Sequence, residues 1–191
     1  GLLLSRELEM FGLLLDNPAG MDLAILGGAK VSDKILLIDR LLERVKRVVI
    51  GGAMAFTFLR ELNVCDIGSS LYDANGASHV PSIMAKAKQL GVEIILPVDF
   101  RCANSMDSDN IVVHSTTDGI PSGLSGFDIG PESEKLFAKT INESKSALWN
   151  GPMGVFENIK FSNGTAAIID ALHHNNGVTV VGGGDTAAAV H

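Results

Sequence analysis

The segment VTVVGGGD, residues 178–185, gives the clearest indication of the fold. Four β-prone residues run into three glycines, and Asp185, Thr186 and the helix-favouring alanines at 187–189 follow. The pattern predicts a buried strand, a tight turn and a helix start. Glycines let backbone amides approach a ligand, and helix N-termini attract anions, so the segment suits a phosphate with a divalent cation beside Asp185. The alternative is a glycine-rich corner that binds nothing.

Three earlier segments have the same form, an apolar run that ends in glycine. Residues 22–26 precede Gly27-Gly28, residues 47–50 precede Gly51-Gly52, and residues 146–149 precede Asn150-Gly151-Pro152. Ligands of parallel α/β sheets lie beyond the carboxyl ends of the strands. The four glycine loops therefore predict one binding edge.

Helical patterns alternate with these strands. Helices are predicted over residues 1–16, 31–45, 81–90, 131–141 and 166–174, and residues 53–61 are helical in propensity. A further strand is predicted over 92–97, and residues 99–125 form a polar excursion with a short strand at 111–114. Alternating strands and helices imply right-handed crossovers and a covered parallel sheet. The predicted fold class is α/β, a Rossmann-like three-layer αβα sandwich with a mainly parallel sheet of about six strands.

The composition argues against several classes of protein. The 191 residues are 46% hydrophobic, enough for one domain with a sizeable core, and the net charge of −7 argues against nucleic acid as a partner. Polar residues and glycines interrupt the apolar runs, so no membrane span is predicted. Cys65 and Cys102 lack metal-ligand spacing, which favours free thiols in a reducing compartment. Gly1 is not a natural start, so we expect a piece of a longer chain.

Two lysines and one glutamate near these loops are candidate binding residues. Lys30 and Lys34 stand four apart at a predicted helix start, where the helix dipole disfavours cations unless an anion binds there. The alternative is two solvated lysines. Glu157 follows the Asn150-Gly151-Pro152 turn, where a carboxylate would accept two hydrogen bonds from a ribose diol; the alternative is an ordinary surface glutamate.

Short nucleotide motifs give a rival interpretation. The sequence contains no GxxxxGK[ST] run. Gly182, Gly184 and Ala187 match G-x-G-x-x-A after a strand, a spacing typical of NAD-dependent oxidoreductase domains. The match is incomplete, because the chain ends at His191, before the acidic residue expected about 20 positions later.

Six segments, in this order, resemble the nucleotide-binding C-terminal half of phosphoglycerate kinases. They are LAILGGAKVSDKI (23–35), VVIGGAMAFTFL (48–59), ILPVDF (95–100), GFDIGPES (126–133), WNGPMGVFE (149–157) and VVGGGDTAAA (180–189). They are long and extend over nearly the whole chain, which makes a chance match or a generic dinucleotide fold a poor explanation.

The resemblance implies a reaction and an organisation. Phosphoglycerate kinases transfer a phosphoryl group between 1,3-bisphosphoglycerate and ADP, giving 3-phosphoglycerate and ATP in glycolysis, with Mg²⁺. Residues 1–191 would be the nucleotide-binding domain, with 1–16 as the leading interdomain helix, of a two-lobed, monomeric, cytoplasmic enzyme. The N-terminal substrate lobe and the extreme C-terminal tail would be absent. The chain would then bind Mg-ADP or Mg-ATP but be inactive alone.

The resemblance also assigns roles to individual residues. The nucleotide site would comprise Gly28, Lys30, Lys34, Gly51, Gly52, Gly126, Phe127, Asn150, Pro152, Val155, Glu157, Gly183, Gly184, Asp185 and Thr186. Within that set, the catalytic residues would be Lys30, Gly183 and Gly184, and the Mg²⁺ ligand would be Asp185. Glu157 would take the ribose hydroxyls, and Asn150 would reach toward the phosphates.

Three residues depart from the family pattern near the adenine slot. Ala53 stands where much of the family has a glycine, Phe127 replaces a usual leucine, and Met106 stands about where a phenylalanine is common. Two other interpretations stay open at this point: an NAD-dependent oxidoreductase domain, and a non-catalytic nucleotide-binding fragment.

Overall fold

The computed structural model describes residues 20–182. The helix predicted over 1–16 and the assigned residues Gly183, Gly184, Asp185 and Thr186 lie outside the described residues.

The described chain contains eight strands and six helices. The strands are β1 (Met21–Leu26), β2 (Val45–Ile50), β3 (Glu93–Ile95), β4 (Asp99–Ala103), β5 (Val112–Ser115), β6 (Ser125–Ile129), β7 (Ser146–Asn150) and β8 (Val178–Gly182). The helices are α1 (Ile35–Leu42), α2 (Met54–Glu61), α3 (Ala74–Ala77), α4 (Val80–Leu90), α5 (Pro131–Asn142) and α6 (Asn163–His174). Short 3-10 turns cover Val31–Asp33 and Ile159–Phe161.

The main sheet is wholly parallel, as the alternating pattern predicts. Its strand order is β3-β2-β1-β7-β8, five strands where about six were expected. The chain moves outward on one side from β1 to β2 and on the other side from β7 to β8. The strand order therefore reverses between β1 and β7, which is where α/β sheets of this kind open a ligand crevice.

Two hydrophobic cores cover the two faces of the sheet, which makes the three layers. Strand β1 contributes to both, because Ala24 and Leu26 face one core while Leu23 and Ile25 face the other. Helices α1 and α4 pack on the first face, and α5 and α6 pack on the second. Trp149 of β7 is fully buried, and its indole Nε1–H donates to the Gly151 carbonyl at 2.8 Å.

Proline and glycine residues correctly predicted the ends of two helices. Pro81 lies in the first turn of α4, and Gly91 caps its end with a φ of +71°. Pro131 opens α5. The stripe predicted over 31–45 is shorter in the structure: α1 ends at Leu42, and Val45 opens β2.

The polar excursion over 99–125 contains more structure than its sequence indicates. Strands β5, β4 and β6 form a separate antiparallel sheet. The charged residues of β4, Asp99 and Arg101, favour a loop in the sequence pattern, yet in the structure both side chains form hydrogen bonds. Asp99 accepts the amides of Glu132 and Ser133, and the Arg101 guanidinium donates to the Ile129 carbonyl at 2.6 Å. Pairing of this kind over long sequence separation leaves no local pattern.

Within residues 20–182, every helix is too short or too polar to cross a bilayer. Cys65 and Cys102 are free thiols, as predicted, and burial raises the pKa of Cys102 to about 11.

Candidate functional site

Three glycine loops leave the main sheet at one level. In the register of the sheet, Leu26 of β1 pairs with Ile50 of β2 and with Asn150 of β7, and Asn150 pairs with Gly182 of β8. The loops that follow β1, β2 and β7 therefore start side by side at the carboxyl edge, as predicted. The fourth loop, which follows β8, begins beyond the described residues.

Most glycine amides of these loops donate hydrogen bonds to carbonyls of the neighbouring loops or strand ends. The amide of Gly27 donates to the Asn150 carbonyl at 2.8 Å, and the amide of Gly28 donates to the Pro152 carbonyl at 3.2 Å. The amides of Gly51 and Gly52 likewise donate to the carbonyls of Leu26 and Met153. The prediction that glycine leaves the backbone amide free to bind a ligand is wrong for these four positions. At Gly27 and Gly52 an added Cβ would lie within 3 Å of neighbouring backbone, at Gly51 it would meet the Met153 side chain, and Gly28 has a φ of +120°.

Lys34 crosses the junction between the loops of β1 and β7. Its Nζ donates a short hydrogen bond to Oδ1 of the buried Asn150. Its stem passes over Gly28, where a Cβ would lie 3.4 Å from the Lys34 Cε. Lys34 is the residue before helix α1, and its hydrogen bond to Asn150 at the end of β7 brings its charge to the β1–β7 switch point of the sheet.

Lys30 is placed differently. Lys30 has an extended backbone (φ −126°, ψ 132°) before the 3-10 turn Val31–Asp33. The prediction that the two lysines share one turn of an α-helix is therefore wrong. The Lys30 side chain is exposed, near the carboxylate of Asp73. The pKa of Asp73 is lowered chiefly by a 2.9 Å hydrogen bond from the Ser32 amide, and the charge of Lys30 adds to this effect. Asp73 therefore fixes the turn that carries Lys30.

A cavity of about 510 Å³ opens beside these loops. Seven of the residues that the resemblance assigns to the nucleotide line it: Gly28, Gly52, Gly126, Phe127, Pro152, Val155 and Glu157. Its other walls include the rings of Phe56 and Phe100, whose centroids are 4.6 Å apart. Apolar walls with a few polar groups are usual for small-molecule sites, and this volume falls in their range.

Three further described residues of the assigned set, Gly51, Lys34 and Asn150, lie next to the cavity, whereas Lys30 does not line it. Gly51 lies behind it, where a Cβ would meet the Met153 sulfur at 2.2 Å. Lys34 and Asn150 lie at the β1–β7 junction, next to the Gly28 wall. Glu157 is exposed at the rim. The site thus has an apolar slot, a carboxylate at its rim and a cationic side.

Sequence reasoning missed several residues of the site. Phe56 and Phe100 lie on elements whose sequence indicates only a hydrophobic core, yet both line the cavity. Phe56 also explains Gly126, because a Cβ at Gly126 would lie 2.3 Å from the Phe56 ring. Asp128 also lines the cavity although it is only 2% exposed. Its position directly after Gly126-Phe127 was the signal that could have drawn attention to it.

Asp128 joins the cavity wall to helix α6. Its carboxylate accepts the amides of Ile129 and Gly164, each at 2.9 Å, and Arg101 Nη1 lies 3.7 Å away. Burial raises the pKa of Asp128 from 3.8 to about 7, even though these donors favour the charged form. The wall therefore contains a carboxyl group that titrates near neutral pH.

A metal site is not built from the described residues. Between residues 20 and 182, no three His, Cys, Asp or Glu side chains cluster in a way that could hold a cation. Mg²⁺ usually takes only one or two carboxylates and completes its shell with water and phosphate oxygens. The carboxylate that the resemblance assigns to it, Asp185, lies outside the described part.

An open parallel sheet, covered by helices on both faces and carrying a cavity at its carboxyl edge, places this chain in the class of open-sheet α/β proteins, whose ligands usually lie at that edge. The chain belongs to the phosphoglycerate kinase family, because the family profile described as "Phosphoglycerate kinase" matches residues 1–191.

Individual relatives agree with the family assignment. Phosphoglycerate kinases from Candida glabrata and Saccharomyces cerevisiae are 51% and 50% identical over 191 residues. Each match covers 98% of this chain and 46% of the relative, so the chain spans about half the length of the curated relatives it matches. The structure of phosphoglycerate kinase from Coxiella burnetii superposes with a TM-score of 0.87 at 37% identity, covering 98% of this chain and 48% of that one.

Proposed function

We propose that this chain is the nucleotide-binding half of a phosphoglycerate kinase, which transfers a phosphoryl group reversibly between 1,3-bisphosphoglycerate and ADP. The observation that carries the proposal is the cavity, in which seven assigned residues from distant parts of the sequence meet. The adenine would lie against Gly126, Phe127 and Val155, and the exposed Glu157 would accept hydrogen bonds from the ribose hydroxyls.

The phosphates would lie on the cationic side of this cavity. From the slot they would run past Gly28 toward Lys34 and Asn150, and Lys30 would meet the transferring phosphoryl group. Gly183, Gly184 and Thr186 would surround the phosphates with backbone amides. Asp185 would lie on the Mg²⁺ side, and the cation would neutralise charge on the phosphate oxygens.

The proposed chemistry requires little covalent help from the protein. The attacking group in either direction, a carboxylate or an ADP phosphate oxygen, is already an anion, so no general base is needed. Catalysis rests on alignment and on neutralising charge in a metaphosphate-like transition state. Lysine ammonium groups such as those of Lys30 and Lys34 provide that charge without a proton transfer.

The chain alone would bind the nucleotide without turning it over. The 3-phosphoglycerate or 1,3-bisphosphoglycerate site would belong to the other lobe, and much of the rate in such enzymes comes from holding two substrates together. We also propose a monomeric state and a cytoplasmic location, which rest on the resemblance alone.

Isothermal titration of the chain with Mg-ADP tests the binding half of the proposal. We expect saturable one-to-one binding by the wild-type chain and at least tenfold weaker binding by Lys34→Met, because a charge on the phosphate side is lost. Lys46→Met is the matched control, since Lys46 lies at the amino edge with a side chain 77% exposed. Absence of binding by a folded sample would refute the proposal. Displacement of ADP by NAD at similar concentration would favour an oxidoreductase domain instead.

Turnover tests the role of Lys30. In a two-lobed protein that contains this chain, we expect Lys30→Ala to lower kcat on the order of 100-fold, as for removal of one preorganised charge. An unchanged kcat would indicate that the loops bind a nucleotide without serving catalysis.

A further inference from the structure

The loop between β4 and β5, residues 104–111, contributes Met106 to the lining of the cavity and is called the Met106 loop here. Its sequence is NSMDSDNI, in which Met106 is the only apolar residue before Ile111. Met106 lines the cavity and is 48% exposed. A loop of this composition has little apolar surface of its own with which to stay packed on the cavity.

Two side chains from another part of the chain hold this loop. Asn158 Nδ2 donates to the Met106 carbonyl at 2.8 Å. Lys160 Nζ donates to the carbonyls of Asp107 and Ser108, each at 3.3 Å, and pairs with the Asp109 carboxylate at 2.6 Å. Three successive backbone carbonyls, those of residues 106–108, are thus held by one short segment.

That segment is itself anchored in the core. Asn158 caps the 3-10 turn Ile159–Phe161, because its Oδ1 accepts the Lys160 amide at 3.1 Å. Phe161 ends the turn fully buried, with its ring centroid 5.1 Å from that of Phe127 in the cavity wall. The segment also follows Glu157 directly, so it connects the rim carboxylate, the cavity wall and the Met106 loop.

We propose that Asn158 and Lys160 form a clamp that positions Met106 as a wall of the cavity and thereby sets the affinity for the base end of a purine nucleotide. This inference rests on the proposed function and adds two positioning residues to it. Methionine suits such a wall because its unbranched thioether side chain adapts to the surface it covers. The side chains of the clamp need not touch the nucleotide, because they act through the loop.

A double-mutant cycle tests the clamp. Titration with Mg-ADP compares the wild-type chain with Lys160→Met, Asn158→Ala and Met106→Ala, and with Lys160→Met combined with Met106→Ala. We expect each single change to weaken binding about 5- to 20-fold, a size consistent with losing one ordered apolar contact at the base. The double variant should be no weaker than Met106→Ala within twofold, because both changes remove the same contact.

Two variants serve as controls. Asp109→Ala should change the affinity less than twofold, because the Asp109 side chain is 94% exposed and Lys160 keeps its two carbonyls. Lys135→Met removes a lysine of α5 that is 75% exposed and paired with Glu132, and should also leave binding unchanged.

The outcomes separate this inference from the proposed function. No binding of Mg-ADP by the wild-type chain would overturn both. Wild-type binding together with Lys160→Met and Asn158→Ala affinities within twofold of it would overturn the clamp alone. Additive losses in the double variant would also overturn it, because the lysine would then act independently of Met106.

Discussion

Gly151 shows at the scale of one residue why the carboxyl edge is rich in glycine. It has a φ of +97°, and a Cβ at this position would lie 2.3 Å from the Gly27 carbonyl oxygen. Both the backbone conformation and the space exclude a side chain. The loops of β1 and β7 can meet at the site only because neither carries one at this contact.

Gly151→Ala should destabilise the protein strongly. We expect a loss of about 3 to 5 kcal/mol in the free energy of unfolding, from backbone strain and overpacking together, measured by urea denaturation. Gly123→Ala is the matched control, since Gly123 has a φ of +91° with nothing within 4 Å of the added Cβ. Its loss should be about 1 to 2 kcal/mol, from strain alone. Equal losses would contradict the packing explanation.

Asp128 gives the stability a pH dependence that can be isolated by substitution. Its pKa is raised from 3.8 to about 7 in the folded chain, chiefly by burial, so the folded state holds a proton that the unfolded state has lost. Its contribution is fully present below the unfolded pKa and is lost as the pH rises through about 7. Asp73, whose pKa is lowered, has the opposite dependence, since its contribution is lost as the pH falls.

Comparison with Asp128→Asn separates these effects. The stability of the wild-type chain relative to the variant should fall by about 2 to 4 kcal/mol between pH 4 and pH 8, because only the wild type titrates at this site. Urea denaturation across that range measures the difference. A constant difference would show that Asp128 has an ordinary pKa, held there by Arg101 and the two amides.

At the scale of elements, the amino end of helix α5 is capped by a residue of strand β4. Its own N-cap position is Gly130, which has no side chain to offer. Asp99 at the start of β4 instead accepts the amides of Glu132 at 2.9 Å and Ser133 at 2.8 Å. A Cβ at Gly130 would lie 2.4 Å from the Asp99 carboxyl carbon, so the glycine makes room for the distant cap.

Asp99→Ala should therefore weaken both α5 and the small sheet. We expect a loss of about 1 to 3 kcal/mol in the free energy of unfolding, because two amides at the helix start, one of them buried, lose their carboxylate acceptor. Asp170→Ala on α6 is the control, since that side chain is 76% exposed, and it should stay within about 0.5 kcal/mol of wild type. A loss for Asp99→Ala no larger than the control's would contradict the capping role.

Elements were predictable from the sequence where their signals are local. Pro81 and Gly91 bracket α4 because the fixed φ of proline and the positive φ of glycine act at their own positions. Strand β4 was missed because Asp99 and Arg101 are stabilised by partners about 30 positions away, at Ser133, Ile129 and Glu134. Val45 was placed in a helix because its apolar character suits either element.

At the scale of the whole molecule, the sequence predicted the binding edge better than its internal construction. The strand ends coincide in register as expected, and seven assigned residues meet in one cavity. The sequence does not reveal that the amides of four loop glycines donate hydrogen bonds to neighbouring loops and strand ends. These glycines are Gly27, Gly28, Gly51 and Gly52. The sequence also does not reveal the hold of Asn158 and Lys160 on the Met106 loop, because that contact depends on folding distant segments together.

We expect this cavity to take the adenine and ribose of the nucleotide, and the β1–β7 junction to take its phosphates. A ¹H–¹⁵N NMR titration of the chain with Mg-ADP tests this expectation most directly. We predict that the largest amide shifts occur at Gly28, Phe127, Val155 and Glu157, with small shifts at Lys145 and Gly177 near the amino edge. Shifts concentrated at the amino edge, or no shifts from a folded sample, would show that the nucleotide does not bind in this cavity.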